Sequence, residues 1–510
     1  MIRFLPIFVV LVLTAPAAQP AHSGDDAKPN FVLIIGDDIS WDDFGCYGHP
    51  HIRTPNIDRL AARGLRFTNA YLTASSCSPS RASIITGRYP HNNGTAAELH
   101  RRLPEHLALF PELLRKAGYH SAHAGKFHIG YQNRKTTAGY HTASEPAARA
   151  FDVAGGRYGD KRDAESGGMD DWVSRLRNRP KAKPFFMWFA SHDAHRRWHV
   201  TDTAHPLAKI KHLHSPNDAV VPPYLIDNEA TRRDIALYYN EISRLDFYVG
   251  EVVEELKRQN VADSTYVIFM ADNGRPFARC KGRCHDSGMK TPFIIRGPKV
   301  RTGEVCRQLV SSIDIAPTIL QLASVRPAPS MQGISLLPLI ANPDKPVRSY
   351  VFAEHNFHDH AAHERMVRWR DYTYIRNAHP DKRRIGCNDS FLGGAGESLL
   401  KGFQNGTLTP AQNDMYRMPR PAEELHLVTQ DRHQLTNLVG ATLHANALTH
   451  LRKIMDRWQE ETGDSLPKDA TPEWVEFTGN ALRGLKTYGQ YGTPPGGDRN
   501  AQNINRSGPR

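Results

Sequence analysis

The sequence predicts an α/β protein, a sheet with helices on its faces followed by a smaller C-terminal subdomain, on three observations. Apolar runs of strand length alternate with amphipathic helical stretches through the first two-thirds of the chain, which is the pattern of a helix-covered sheet. Four of those runs end abruptly in clusters of Asp, Asn, Lys or His. Beyond about residue 345 the texture changes to short strands and one helix. A length of 510 residues with 40% hydrophobic side chains suits two domains, or one large domain with an appendage.

The elements follow in order. Arg3, the apolar run Phe4 to Leu13 and the small residues Ala15 to Ala18 read as a cleavable secretory signal, since the run is shorter than the roughly 20 residues that span a bilayer. Residues 1–23 are assigned to it, with the mature start between Gln19 and Asp25 and a soluble, secreted or periplasmic product. Phe31 to Ile35 is a buried strand. Thr54-Pro55 opens a helix through Leu60 and Leu65, with Thr as N-cap and Pro in the first turn. Further strands are expected at Tyr119–Ala124, Phe185–Ala190, Tyr266–Met270 and Phe293–Ile295. Between the middle two, about Ala230 to Gln259, Ile235, Ile242, Leu245, Val249, Val252 and Leu256 recur at helical spacing, a core-packing stripe. The catalytic domain is placed at 24–345. A subdomain at 346–485 holds a half-buried strand pair (Met366 to Ile375) and a helix (Leu443 to Gln459). The Gly-, Pro- and Asn-rich stretch 486–510 is expected to be a disordered tail.

Six cysteines in so long a chain are no disulfide framework. If Cys77 is used chemically, Cys46, Cys280, Cys284, Cys306 and Cys387 remain, so at least one thiol is free; Cys280 and Cys284 are the expected local bridge, and a poor zinc signature without a second pair. The formal charge of +12 attracts polyanions. No run of basic residues interleaved with aromatics and no nucleic-acid-binding motif is present, so nucleic acid is not expected as a partner. A surface charge that serves solubility alone is the alternative.

The chemistry sits where the strands end. Phe31–Ile35 runs into Gly36-Asp37-Asp38, Tyr119–Ala124 into Gly125-Lys126-Phe127-His128, Phe185–Ala190 into Ser191-His192-Asp193-Ala194-His195, and Tyr266–Met270 into Ala271-Asp272-Asn273-Gly274. Ligands of open α/β sheets bind beyond the carboxyl ends of strands, so these clusters are expected on one rim. Asp37, Asp38, Asp272 and Asn273 offer hard oxygen ligands suited to calcium or magnesium rather than zinc. In Cys77-Ser78-Pro79-Ser80-Arg81-Ala82-Ser83-Ile84-Ile85-Thr86-Gly87-Arg88, Pro79 and Gly87 bracket a helix. Cys77 would stand at its N-terminus, where an anion or an activated thiolate is favoured; a buried structural cysteine is the other reading.

Cys-x-Pro-x-Arg followed by Ala-Ser-x-x-Thr-Gly-Arg resembles the signature of the type I sulfatases, whose cysteine a formylglycine-generating enzyme oxidises to formylglycine (3-oxoalanine). The likeness runs from about Asn30 to Leu438. It takes in Gly36-Asp37-Asp38, the Gly-Lys-x-His-x-Gly segment 125–130, Ala271-Asp272-Asn273-Gly274 and Pro421-Ala422-Glu423-Glu424-Leu425-His426. Within the family, Ser75–Ser83 and the run His192-Asp193-Ala194-His195-Arg196 look most like the heparan N-sulfatases; Ala194 stands where relatives often have Pro.

The resemblance implies an alkaline-phosphatase-like core, with a mixed, mostly parallel sheet, helices on both faces and a C-terminal α+β subdomain. It also implies one Ca2+ on Asp37, Asp38, Cys77, Asp272 and Asn273. The hydrated aldehyde at position 77 would attack sulfur and later expel sulfate, with His128 as the base for the expulsion. Arg81 and Lys126 would hold formylglycine and sulfate oxygens. His195 would protonate the departing amine or alcohol, with Lys281 on the sulfate. His192 is read as structural, although it could exchange roles with His195. Arg196 and His355 are candidate substrate-binding residues, a solvated loop being the alternative for His355. The implied substrate is a sulfated saccharide, of heparan type or another O-sulfated polysaccharide; the location is secreted or periplasmic, or lysosomal in an animal. A phosphonate or phosphate-ester hydrolase on the same scaffold, and an inactive sulfoglycan-binding protein, are the competing readings.

Overall fold

The computed structural model describes residues 28–129, 145–155, 166–383 and 386–510. The expected signal segment and Gly130 lie outside the described residues. An eight-stranded sheet is built from β1 (Asn30–Gly36), β2 (Leu65–Phe67), β4 (His120–Gly125), β5 (Val153–Ala154), β6 (Phe185–Ala190), β7 (Thr265–Ala271), β8 (Phe293–Arg296) and β9 (Glu304–Cys306). The spatial order is β5-β4-β6-β1-β7-β8-β2-β9. All neighbours are parallel except at β8, which is antiparallel to both β7 and β2. A short parallel pair joins β3 (Ala70–Tyr71) to β10 (Val310–Ser311).

Alternation explains why the central strands are apolar throughout. Along β1, Phe31, Leu33 and Ile35 enter one core and Val32 and Ile34 the other, as the two-residue pleat requires of a strand covered on both faces. The helix Glu229–Arg258 covers the second face with Ile235, Ile242, Leu245, Val249, Val252 and Leu256, the stripe expected from the sequence. Helix α1 (Pro55–Ala62) stops short of the predicted Leu65, which belongs to β2. Thr54 does not cap it through its side chain. Its hydroxyl accepts from the Gly45 N–H at 3.0 Å and donates to Asp58 at 3.2 Å instead, a local side-chain bond that competes with capping.

The C-terminal subdomain is an antiparallel sheet of β11 (Tyr350–Phe357), β12 (Ala361–Trp369), β13 (Tyr372–Asn377) and β14 (Glu423–Leu427), in that order. The helix Ala445–Thr462 packs on it, with Trp458 stacked 5.0 Å from Phe352. Within 486–510, expected to be a disordered tail, residues 502–505 are instead held against the body of the protein. Arg88, buried at the end of the motif, donates to the Gln502 and Ile504 carbonyls at 3.0 Å and to Asn505 Oδ1 at 2.6 Å. Composition misleads here because backbone carbonyls, which no composition reveals, satisfy a buried guanidinium.

Candidate active site

The four polar strand ends do meet. They terminate β4, β6, β1 and β7, which are consecutive in the sheet. Gly125 ends β4 at φ +83°, where an added Cβ would lie 1.9 Å from the Ala190 carbonyl oxygen, so only glycine lets the chain turn there. Asp38 and His128 also hold left-handed backbones, φ 56° and 51°. Such conformations cost about 1–3 kcal/mol and persist where packing imposes them.

Helix α2 (Cys77–Thr86) begins at Cys77 and ends at Gly87 in the left-handed conformation, φ 66°, with the Gly87 N–H on the Ser83 carbonyl, the glycine C-cap read from the sequence. Cys77, 2% exposed, places its Sγ 3.8 Å from Asp38 Oδ1. Donor atoms of Asp37, Cys77 and Asp272 lie within 4.8 Å of one another, as do those of Asp38, Cys77 and His195. Asn273 Nδ2 donates to Asp38 Oδ1 at 2.6 Å. Asn273 Oδ1 is buried and makes no hydrogen bond, and Asp37 Oδ1 has only the Arg81 guanidinium at 3.5 Å. Such under-satisfied oxygens in a buried carboxylate and amide set fit a hard divalent cation.

Cations surround this group. Arg81, wholly buried, donates Nε to Asp272 Oδ2 at 2.8 Å and Nη1 to the Lys126 carbonyl at 2.8 Å. Lys126 Nζ pairs with Asp37. Lys281 Nζ bridges Asp38 Oδ2 at 2.8 Å and Asp389 Oδ2 at 2.7 Å. Burial works to lower the Lys281 ammonium, but Asp38 and Asp389 outweigh it and hold it well above its ordinary value. Burial pushes the Cys77 thiol well up, against the pull of Lys126 and Lys281, so the unmodified side chain is a neutral thiol and a poor nucleophile.

His195 Nε2 lies 3.8 Å from Asp38 Oδ2 and 3.6 Å from Asp389 Oδ2, while its Nδ1 meets the Arg196 carbonyl at 2.5 Å. His128 Nε2 is 2.8 Å from His100 Nδ1; burial first, then His100, Lys126 and Arg81, hold it well below the usual imidazole range. His192 is similarly depressed by burial. His355, 3% exposed on β11, is no solvated loop residue: a Cβ added at Gly282 would lie 3.7 Å from its Nε2, next to Lys281.

Arg196, expected at the substrate, is committed elsewhere. Its guanidinium grips Asp234 through two 2.8 Å bonds and lies 4.7 Å from the rings of Trp198 and Phe277, so its charge anchors the loop that presents His195. Cys280 and Cys284 do not bridge, and no disulfide joins any of the six cysteines. Cys280 is buried and its Sγ meets the Tyr224 hydroxyl at 3.4 Å, which gives it a partner other than Cys284. Three site residues were missed. Asp389 and His100 lie in segments with no periodicity or motif to mark them. His358, whose Nδ1 meets Ser76 Oγ at 2.9 Å, belongs to the His-rich run already visible in the sequence.

Comparison with known proteins agrees with this geometry. The Sulfatase family profile matches residues 29–325, and that described as N-sulphoglucosamine sulphohydrolase, C-terminal, matches residues 280–382. The human N-sulphoglucosamine sulphohydrolase is 29% identical over 486 residues, covering 86% of this chain and 91% of that protein. An ulvan-active sulfatase of Formosa agariphila is 28% identical over 479 residues, covering 86% and 76%. A structure solved with its substrate D-glucosamine-2-N,6-O-disulfate superposes with a TM-score of 0.60 at 19% identity, covering 85% of this chain and 98% of that one. The phosphonate monoester hydrolase of Agrobacterium radiobacter gives 0.62 at 17%, covering 90% and 100%.

The family match defines a sulfatase, a hydrolase acting on sulfate esters or S–N bonds. The chain belongs to the sulfatase family. Among the described residues no helix is long and apolar enough to cross a membrane.

Proposed function

We propose that this sulfatase releases sulfate from N-sulfated glucosamine of the heparan type, with Cys77 oxidised to formylglycine and one calcium ion held by Asp37, Asp38, Asp272 and Asn273 beside it. The observation that carries the reading is the convergence of Cys77, at the start of α2, with the acidic ends of β1 and β7. When bound, calcium would favour negative charge on the oxygens of the modified Cys77 and of the sulfate.

The chain's own residues account for the rest. The three carboxylates Asp37, Asp38 and Asp272 are already matched by Arg81, Lys126 and Lys281, so a divalent cation gives the pocket a positive surplus complementary to sulfate. Arg81 ties Asp272 to the Lys126 backbone and so fixes metal ligands and sulfate-binding groups together. Lys126 and Lys281 hold sulfate oxygens. His128, kept neutral by burial and neighbouring positive charge, is available to accept the proton released when sulfate leaves position 77. His195 Nε2 supplies a proton to the departing amine, and Asp389 orients it together with Lys281. His355 borders the same pocket and contacts the sugar. The reading requires an oxidising enzyme that acts on Cys77 and export to a secreted or periplasmic location.

The test is sulfate release by the calcium-loaded enzyme from N-sulfated glucosamine beside O-sulfated sugars, with Cys77→Ala as blank. Selective release from the N-sulfated sugar is expected. The similar identity to the ulvan-active sulfatase favours a second reading, an O-sulfatase of another polysaccharide, which release from O-sulfated sugars alone would establish. Active protein with an unmodified Cys77 thiol would overturn both.

A further inference from the structure

A buried group outside the catalytic cluster is built like a metal site. His285, Glu424 and His426 are 1%, 5% and 1% exposed. His285 follows Lys281 closely in the β7–β8 connection, and the other two lie on β14 of the C-terminal sheet. Glu424 Oε2 is 3.2 Å from His285 Nε2 and 3.4 Å from His426 Nε2, and the three donor atoms all lie within 4.8 Å of one another. Bonds of about 2.0–2.1 Å in a tetrahedral zinc site place donor atoms about 3.3–3.4 Å apart, which these spacings match. The two imidazole rings, 5.5 Å between centroids and tilted by 55°, are separated as two ligands of one ion would be.

Hydrogen bonds orient these side chains. His426 Nδ1 meets the Thr436 carbonyl at 2.8 Å; a carbonyl only accepts, so Nδ1 carries a hydrogen and Nε2 is the nitrogen turned to the Glu424 carboxylate. His285 Nδ1, in turn, is buried and has no hydrogen-bond partner. Arg283 is 2.6 Å from Asp414, and Arg420 is shared between Glu364 at 2.7 Å and Glu424 Oε1 at 3.7 Å, which leaves Glu424 Oε2 to the two imidazoles.

We propose that His285, Glu424 and His426 bind one zinc ion, separate from the calcium-type site, that fastens the loop carrying Lys281 to the C-terminal sheet. Two imidazoles and a carboxylate form a zinc-type set, with a fourth position open to water.

The test loads purified protein with Zn2+ in saturating Ca2+, removes free metal and counts both by elemental analysis. His426→Asn is the variant, because its amide nitrogen keeps the bond to Thr436 while the Nε2 ligand is lost. About one zinc ion per chain is expected in the wild type, with zinc affinity weakened by about 10–100-fold or more in the variant and calcium unchanged. X-ray absorption at the zinc edge of the wild type reads the ligands without any variant, and two imidazoles with otherwise oxygen neighbours are expected. Wild type that retains no zinc, zinc held equally by His426→Asn, or an all-oxygen or sulfur-containing shell would overturn the assignment. None of these readouts depends on which sulfate the enzyme removes.

Discussion

Replacement of Arg244 by Met tests what holds the His195 loop in place. Arg244 lies on the inner side of the helix Glu229–Arg258 and is 1% exposed. Its Nε and Nη2 donate to the two oxygens of Asp193 at 2.7 Å, and Nη2 also to Glu241 Oε2 at 2.7 Å. Glu241 Oε1 in turn accepts from the Val200 N–H at 2.8 Å, so one arginine secures both ends of the segment that bears His195. Charge-assisted bonds contribute about 1.5–3 kcal/mol each, a ceiling of roughly 5–9 kcal/mol for these three. The ceiling is not reached, because burial and the charge of Asp193 have already pushed the Glu241 carboxyl up to about 8, and without arginine it simply keeps a proton. Asp193 is then the one uncompensated buried charge. Breaking such a pair costs about 3–5 kcal/mol, and that is the expected loss for Arg244→Met, which preserves most of the stem packing. Urea unfolding followed by tryptophan fluorescence at neutral pH and fixed calcium measures it, with an unchanged slope as the check on two-state behaviour. A midpoint corresponding to less than about 1 kcal/mol of destabilisation would refute the reasoning, since that is what an exposed pair is worth.

Three further outcomes are expected. Glu241 binds a proton in the fold up to about pH 8, whereas its ordinary value is 4.5; the folded state therefore holds the extra proton between those values, stability falls as pH rises through that window, and Glu241→Gln flattens the fall in urea titrations run across it. Arg88→Ala leaves the Gln502 and Ile504 carbonyls without their donor, costs about 1–3 kcal/mol, and exposes the bonds after Arg499 and Arg506 to trypsin, as mass spectrometry of limited digests will show. Asp389→Ala removes the carboxylate shared by Lys281 and His195 and lowers kcat by about 10²-fold, while Asp389→Glu keeps most of it; equal rates for the Ala variant and wild type would remove Asp389 from the mechanism.

Much of the site was legible because its residues sit at the ends of apolar runs. Asp37, Lys126, His195 and Asp272 each follow a strand of six or seven buried residues, and strand adjacency then brings them together. Lys281, placed only by its offset from Asp272 and Asn273, does reach Asp38. Asp389 was illegible, for it reaches the centre from a short turn far along the chain, a placement set by tertiary packing and not by any local period. Arg196, expected at the substrate, pairs with Asp234 on the facing helix, and a sequence cannot show whether an arginine beside a candidate acid turns outward or inward. The end of α1 was overextended because Leu65 continues the helical apolar spacing, whereas pairing with β8 and β9 draws it into the sheet.

The burial of Cys77 sets an order of events. At 2% exposure, as the first residue of a helix whose ten residues are all buried, its sulfur is out of reach of any other protein once the fold has closed. On the proposed formylglycine chemistry, an enzyme that oxidises Cys77 would therefore have to meet residues 77–88 as an unfolded segment. That interval is long, because the final fastening of this segment comes from residues 502–505, which wrap Arg88 and emerge from the ribosome after more than four hundred others. The motif is synthesised early and sealed late, so on the proposed reading the time available to modify it would be governed by synthesis of the remaining chain rather than by the stability of the finished enzyme.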